Sequence, residues 1–174
     1  MVSKYFQNYA SYYLSKYWVT KGKFEYKLKN KVAKDFLQKK ITENDKRKYL
    51  DEIFQVLKYY EAMGFFDEKK LVDLKIENLV KKGFSLKKIR IALKQDYFED
   101  ILIENKISKM SQDENANIRL MTNFLSKSSV SCIIKSSSCK TEIFKKILKK
   151  FINQGFSYSD SVNFLKNNIK VDDV

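Results

Sequence analysis

The sequence predicts an all-α protein, and three observations predict it. The 174-residue chain has no proline and only four glycines, so it lacks the turn punctuation of a many-stranded sandwich or barrel. Apolar residues recur at helical spacing almost throughout. Lys, Leu, Glu, Ala and Gln, all good helix formers, fill much of the rest. Ile, Phe and Tyr would also suit strands, so periodicity decides.

Nine helices follow, at 5–17, 21–39, 45–63, 68–82, 86–94, 98–109, 113–126, 141–153 and 158–167. The first carries Tyr5, Tyr9, Tyr12, Tyr13 and Tyr17, with Trp18 just beyond. These are more aromatics than one helix face can bury, so some must reach solvent. In the second, Phe24, Leu28, Val32 and Phe36 advance by four and form one stripe. The third carries Leu50, Ile53, Phe54, Leu57 and Tyr60 on a single face. Asp67 opens the fourth and Ser85 the fifth, which carries Ile89 and Leu93. The same spacing gives the sixth and seventh. The eighth carries Phe144, Ile147, Leu148, Phe151 and Ile152, and Ser157 opens the ninth. Between the seventh and eighth lies a serine-rich stretch, Ser126–Lys140, whose composition favours caps and loops.

The joints explain two near-copies of one tripeptide, Gly83-Phe84-Ser85 and Gly155-Phe156-Ser157. A glycine just past a helix end can take the left-handed conformation that closes it. The serine then caps the next helix. Phe84 precedes that cap and can staple to Ile89. Gly64-Phe65-Phe66-Asp67 follows the same scheme, with Phe66 facing Leu71. Val19-Thr20 with Phe24 repeats it without glycine. A phosphate-binding loop would need several glycines and a following Lys-Ser/Thr, so these are joints rather than anion cradles. Nine helices divide naturally into three units of three, 1–65, 66–110 and 111–174.

Lys and Arg total 35 against 21 Asp and Glu, a net charge of +14. Such a balance suits a polyanionic partner, although AT-rich coding would also enrich lysine. The excess is strongest in residues 1–50, which hold 13 basic and 4 acidic side chains. Three basic faces stand out. Lys23, Lys27, Lys31 and Lys34 run down the second helix. Lys81, Lys82, Lys87, Lys88, Arg90 and Lys94 flank the middle joint. Lys145, Lys146, Lys149 and Lys150 line the eighth helix. Each could hold a phosphate backbone or acidic side chains, and each could equally be a solvated helix face.

Catalytic chemistry finds little to work with. There is no histidine, which removes the commonest general base and the usual nucleophile pairs. Cys132 and Cys139 have six residues between them, unlike a CxxC metal or redox pair. No catalytic residue, metal ligand or cofactor motif emerges, and a non-enzymatic protein is expected. No apolar run resembles a signal peptide or a membrane span.

The order of the joints carries a resemblance. Tyr13–Leu28 ("YLSKYWVTKGKFEYKL"), Gly64–Leu93 ("GFFDEKKLVDLKIENLVKKGFSLKKIRIAL") and Lys149–Leu165 ("KKFINQGFSYSDSVNFL") together resemble the bacterial RecX family, regulators of the RecA recombinase. The matching positions are Gly64, Phe65, Phe66, Asp67, Glu68, Gly83, Ile89 and Leu93, with Gly155, Phe156 and Ser157 closing the pattern. The chain departs from it at Asp96-Tyr97, where a Lys-Gly turn is usual, and at Arg119–Cys132, where an arginine-rich helix end is usual.

The resemblance implies an elongated tandem array of three three-helix units. It further implies a cytoplasmic monomer that binds the RecA filament on single-stranded DNA. Such a protein restrains ATP hydrolysis, filament extension and strand exchange in DNA repair and recombination. The basic faces would meet the filament or the DNA directly. A basic helical DNA- or RNA-binding module without a dedicated protein partner is the alternative.

Overall fold

The computed structural model describes residues 2–126 and 140–168. Nine α-helices and no strand occur among them: α1 Lys4–Lys16, α2 Lys21–Leu37, α3 Glu43–Ala62, α4 Glu68–Lys81, α5 Leu86–Gln95, α6 Asp100–Ser111, α7 Ala116–Leu125, α8 Lys140–Asn153 and α9 Tyr158–Asn168. No described helix is long and apolar enough to cross a membrane. Residues 127–139, which include Cys132, Cys139 and most of the serine-rich stretch, and the last six residues lie outside the described residues.

Local chemistry sets the helix ends. Thr20 caps α2, its Oγ1 accepting from the Lys23 N–H at 3.0 Å. Asp67 caps α4 through the Lys70 N–H (3.1 Å), Ser85 caps α5 through Lys88 (3.2 Å) and Ser157 caps α9 through Asp160 (3.0 Å). Helix α3 starts two residues earlier than the apolar pattern predicts. Thr42 and Asp45 form a reciprocal capping box there, and two otherwise unsatisfied N–H groups are bonded at once. Helix α7 starts later than expected. The Asp113 carboxylate accepts from the Asn115 N–H at 3.0 Å, a local turn that competes with helix.

The chain divides into two compact units, Met1–Val72 with Gln95–Phe98, and Asp73–Lys94 with Glu99–Val174. In the first, α1 contributes Phe6, Ala10 and Leu14 to a core shared with Phe24, Leu28 and Val32 of α2 and Ile53, Val56, Leu57 and Tyr60 of α3. One sequence reading shifts here. Phe54 is 72% exposed and Leu50 41% exposed, so the buried face of α3 is 53/56/57/60. That is an i, i+3, i+4, i+7 arc, rotated away from positions 50 and 54. Of the aromatics of α1, Tyr5, Tyr9 and Tyr13 pack against the core, whereas Tyr12 is exposed, as are Tyr17 and Trp18 beyond the helix.

In the second unit, Phe151 of α8 gathers three rings: Phe124 of α7 at 5.7 Å, Phe156 at 5.5 Å and Phe164 of α9 at 5.7 Å between centroids. The inward stripe of α8 is Ile143, Ile147 and Phe151. Phe144 and Leu148 are half-buried and Ile152 is 40% exposed, so the face is narrower than the sequence suggests.

Gly83 and Gly155 both lie at positive φ, +63° and +85°. The Phe84 N–H reaches the Leu79 carbonyl at 3.2 Å and the Gly83 N–H reaches Val80 at 2.8 Å. Phe156 and Gly155 repeat this on Phe151 and Ile152 at 3.2 and 2.8 Å. Each is the double bond of a Schellman close. The two joints also touch. A Cβ at Gly155 would stand 2.7 Å from Ser85 Oγ, and one at Gly83 would stand 2.4 Å from the Phe124 backbone N. The second Gly-Phe-Ser therefore rests on the first, and the first rests on α7.

Tyr97 takes the left-handed conformation, φ +62°. A non-glycine residue there is strained by about 1 kcal/mol. The ring offsets this by stacking on Tyr26 at 5.7 Å and lying 5.7 Å below the Lys23 ammonium. Tyr97→Gly is expected to fall within about 1 kcal/mol of the parent, because relief and loss oppose each other. Tyr97→Ala keeps the strain and loses the ring, and is expected to cost about 1–2 kcal/mol. Urea unfolding of the two variants checks this order, the reverse of what helix propensity alone would give.

Candidate functional site

Thirteen basic residues from the sequence are candidate contacts, and the fold treats them unequally. Lys23 is held inside its unit. Its ammonium lies 3.5 Å from the Asp96 carboxylate and donates to the Gln95 carbonyl at 3.2 Å. Lys31 donates to Asp35 at 2.8 Å and sits 4.7 Å from the Tyr5 ring and 5.1 Å from the Tyr9 ring. Lys27 and Lys34 form no ion pair among the described residues.

These last two open onto a groove of about 450 Å³, lined by Lys27, Lys31, Lys34, Lys40, Asn30, Gln38, Tyr9 and Asp35. Sequence spacing brings the first three lysines to one face of α2. Lys40 joins them because the chain turns back beyond α2. Lys39 takes the left-handed conformation, φ +55°, and the Lys40 N–H bonds the Asp35 carbonyl at 2.9 Å. Lys40 was not among the sequence candidates. The only signal for it was a Lys-Lys pair just past a helix end.

Asp35 is the groove's one carboxylate, and it is engaged. It accepts from Tyr5 Oη and Lys31 Nζ, each at 2.8 Å. Burial pushes its pKa up, but the Lys31 and Tyr5 hydrogen bonds and the nearby Lys31 and Lys40 charges outweigh this and hold it below the ordinary value of 3.8. Burial, followed by the Asp35 charge, raises Tyr9, so that phenol stays protonated and can donate. Four ammonium groups thus face one internally bonded carboxylate, with amide and phenol donors between them. The arrangement suits oxygen anions held by charge and hydrogen bonds.

The depressed Asp35 pKa has a sign. A carboxyl lowered on folding contributes stability that is present above its unfolded value and lost as pH falls through the folded one. Asp35→Asn is therefore expected to cost about 1 kcal/mol at neutral pH, a gap that closes in acid. Thermal melts of both proteins from neutral pH to below 3.8 check it. A gap that persists unchanged in acid would mean that the charge contributes nothing.

The middle basic set serves the fold more than a surface. Lys88 donates to Gln154 Oε1 at 3.0 Å and to the Asn153 carbonyl at 3.4 Å, placing a cation at the C-terminal end of α8. Its ammonium also lies 4.9 Å from the Phe84 ring. Arg90 pairs with Glu104 at 2.9 Å, Lys94 with Asp100 at 2.9 Å and Lys81 with Glu77 at 2.6 Å. Lys82 and Lys87 remain exposed without an ion pair among the described residues. On α8, Lys146 pairs with Glu142 at 3.1 Å. Lys145 and Lys149 are exposed and Lys150 is half-buried.

The joint residues are structural in position. Ile89 and Leu93 are fully buried, Ser85 and Phe156 nearly so, and Phe66 packs 5.8 Å from Phe24 between ring centroids. Gly64 closes α3 at φ +78°. Among the described residues no group of three or more acidic or cysteine side chains is placed to hold a metal ion.

No family model, curated protein or solved structure matches this chain.

Proposed function

We propose that this protein is a non-enzymatic modulator of the RecA recombinase. It binds the RecA filament on single-stranded DNA and restrains ATP hydrolysis, filament extension and strand exchange. The proposal includes the tandem arrangement of three three-helix units, the resident DNA-repair role and the cytoplasmic compartment of the family that the sequence resembles. The observation that carries it on the structural side is the lysine groove, where Lys27, Lys34 and Lys40 form no ion pair among the described residues. A filament offers both phosphates and acidic protein side chains to such a groove, and the charge of +14 would speed encounter. The ordered joints supply the resemblance, and they lie where the fold needs them.

The same groove also favours the second reading, a basic helical module that binds DNA or RNA without a protein partner. Co-sedimentation separates the two. RecA filaments assembled on single-stranded DNA are mixed with the protein and an excess of free single strand. Retention on the filament supports the first reading. Complete transfer to free DNA supports the second.

A further inference from the structure

A second groove, in the same unit as the lysine groove, has a different chemistry. Leu14, Tyr17, Trp18, Val19, Phe65 and Lys70 line a hollow of about 290 Å³, together with Gly64, Asp67 and Leu71. Its aromatic rings are unusually open. Trp18 is 73% exposed, Tyr17 52% and Phe65 45%. Two of the three rings are held by neighbours. Tyr17 packs 4.9 Å from Tyr13, and Phe65 stands edge-on to Tyr60 at 5.5 Å, fixed by the bond from its N–H to the Tyr60 carbonyl at 3.2 Å. Val19 and the capping Thr20 anchor the chain directly after Trp18.

We infer that this groove stacks unpaired bases of a single-stranded nucleic acid. Exposed aromatic faces, two of them backed by Tyr13 and Tyr60, can bind bases of any sequence, because every base has a π-face. The charge around them selects the occupant. Residues 1–72 hold 16 Lys and Arg against 9 Asp and Glu, a surplus that attracts a phosphate backbone and adds nothing for a neutral apolar peptide. The groove's own carboxylate, Asp67, is bonded to the Lys70 N–H and lies 3.4 Å from the Lys70 ammonium, so it is locally balanced. This inference rests on a nucleic-acid partner but not on the recombinase, and a protein side chain is the competing occupant.

Trp18 is the chain's one tryptophan, so its fluorescence reports this groove alone. The full-length protein is titrated with a thymidine oligomer and with an abasic oligomer of the same length. Stacking predicts strong quenching by the thymidine oligomer and little by the abasic one, although both bind in a salt-dependent way. Trp18→Ala should weaken thymidine-oligomer binding about tenfold and leave abasic binding unchanged, and Trp18→Phe should restore most of the loss. Equal quenching and equal affinity for the two oligomers would overturn base stacking while leaving the polyanion groove intact. Absence of binding to either would overturn both, and would turn the groove toward a protein side chain.

Discussion

Gly83→Val is expected to unfold the second unit or to lower its stability by about 3–5 kcal/mol. Two penalties fall on one atom. The new Cβ would stand 2.4–2.6 Å from the backbone N and Cα of Phe124, and φ is +63°, where a β-branched residue is a genuine outlier. The neighbouring atoms are backbone, so no side chain can swing aside. Gly64 is the control. Its φ is +78°, but nothing lies within 4 Å of a Cβ built there. Gly64→Val should therefore cost less, about 1–3 kcal/mol, the left-handed term alone. Urea unfolding followed by circular dichroism measures both. Equal losses at the two sites would mean that conformation, not the packing of the joint on α7, governs them.

Reversing Lys27, Lys34 and Lys40 to Glu together should reduce binding to single-stranded DNA, or to a filament formed on it, by about a hundredfold or more at low salt. Three cations become three anions around a groove whose one carboxylate is already engaged by Tyr5 and Lys31. The salt dependence should flatten as well, by about 2 in the log–log slope if the three lysines each meet a phosphate on a single strand. These residues form no ion pair among those described, so helicity should hold. The matching reversal of Lys87, Lys88 and Arg90 should behave differently. Lys88 and Arg90 hold Gln154 and Glu104, and their loss should register first as a lower melting temperature. An undiminished affinity in the Lys27/Lys34/Lys40 variant would remove the groove from the interface.

These contrasts show where the sequence was readable. Helix ends were legible wherever a side chain caps its own helix, because the donor and acceptor lie within three residues. Thr20, Asp67, Ser85 and Ser157 are all of this kind. The Thr42–Asp45 box is equally local, but it lies ahead of the apolar period that begins at Leu50. The buried face of α3 was harder. Positions 50 and 54 lie beside the arc 53/56/57/60, and only the packing of α1 and α2 selects between them.

The candidate site was legible in part. Spacing alone puts Lys27, Lys31 and Lys34 on one face of α2. Whether a lysine is available depends on acceptors remote in sequence. Lys23 meets carbonyl and carboxylate oxygens of Gln95 and Asp96, and Lys88 meets Asn153 and Gln154. Such partners are set by tertiary folding, and no local pattern announces them. Lys40 entered the groove by the converse route, through the left-handed turn at Lys39. The contact between the two Gly-Phe-Ser joints is of the same kind. The repeated tripeptide was legible as a helix stop and restart, but its second use, as the surface on which one joint rests upon the other, was not.

ATP hydrolysis by RecA on single-stranded DNA tests the functional proposal most directly. The protein is added in substoichiometric amounts while DNA is held in excess over all binding sites. The proposal predicts that hydrolysis falls well before the protein equals RecA in amount, and that the Lys27/Lys34/Lys40 reversal removes the effect. Undiminished hydrolysis under these conditions, or inhibition that vanishes whenever DNA is in excess, would contradict it.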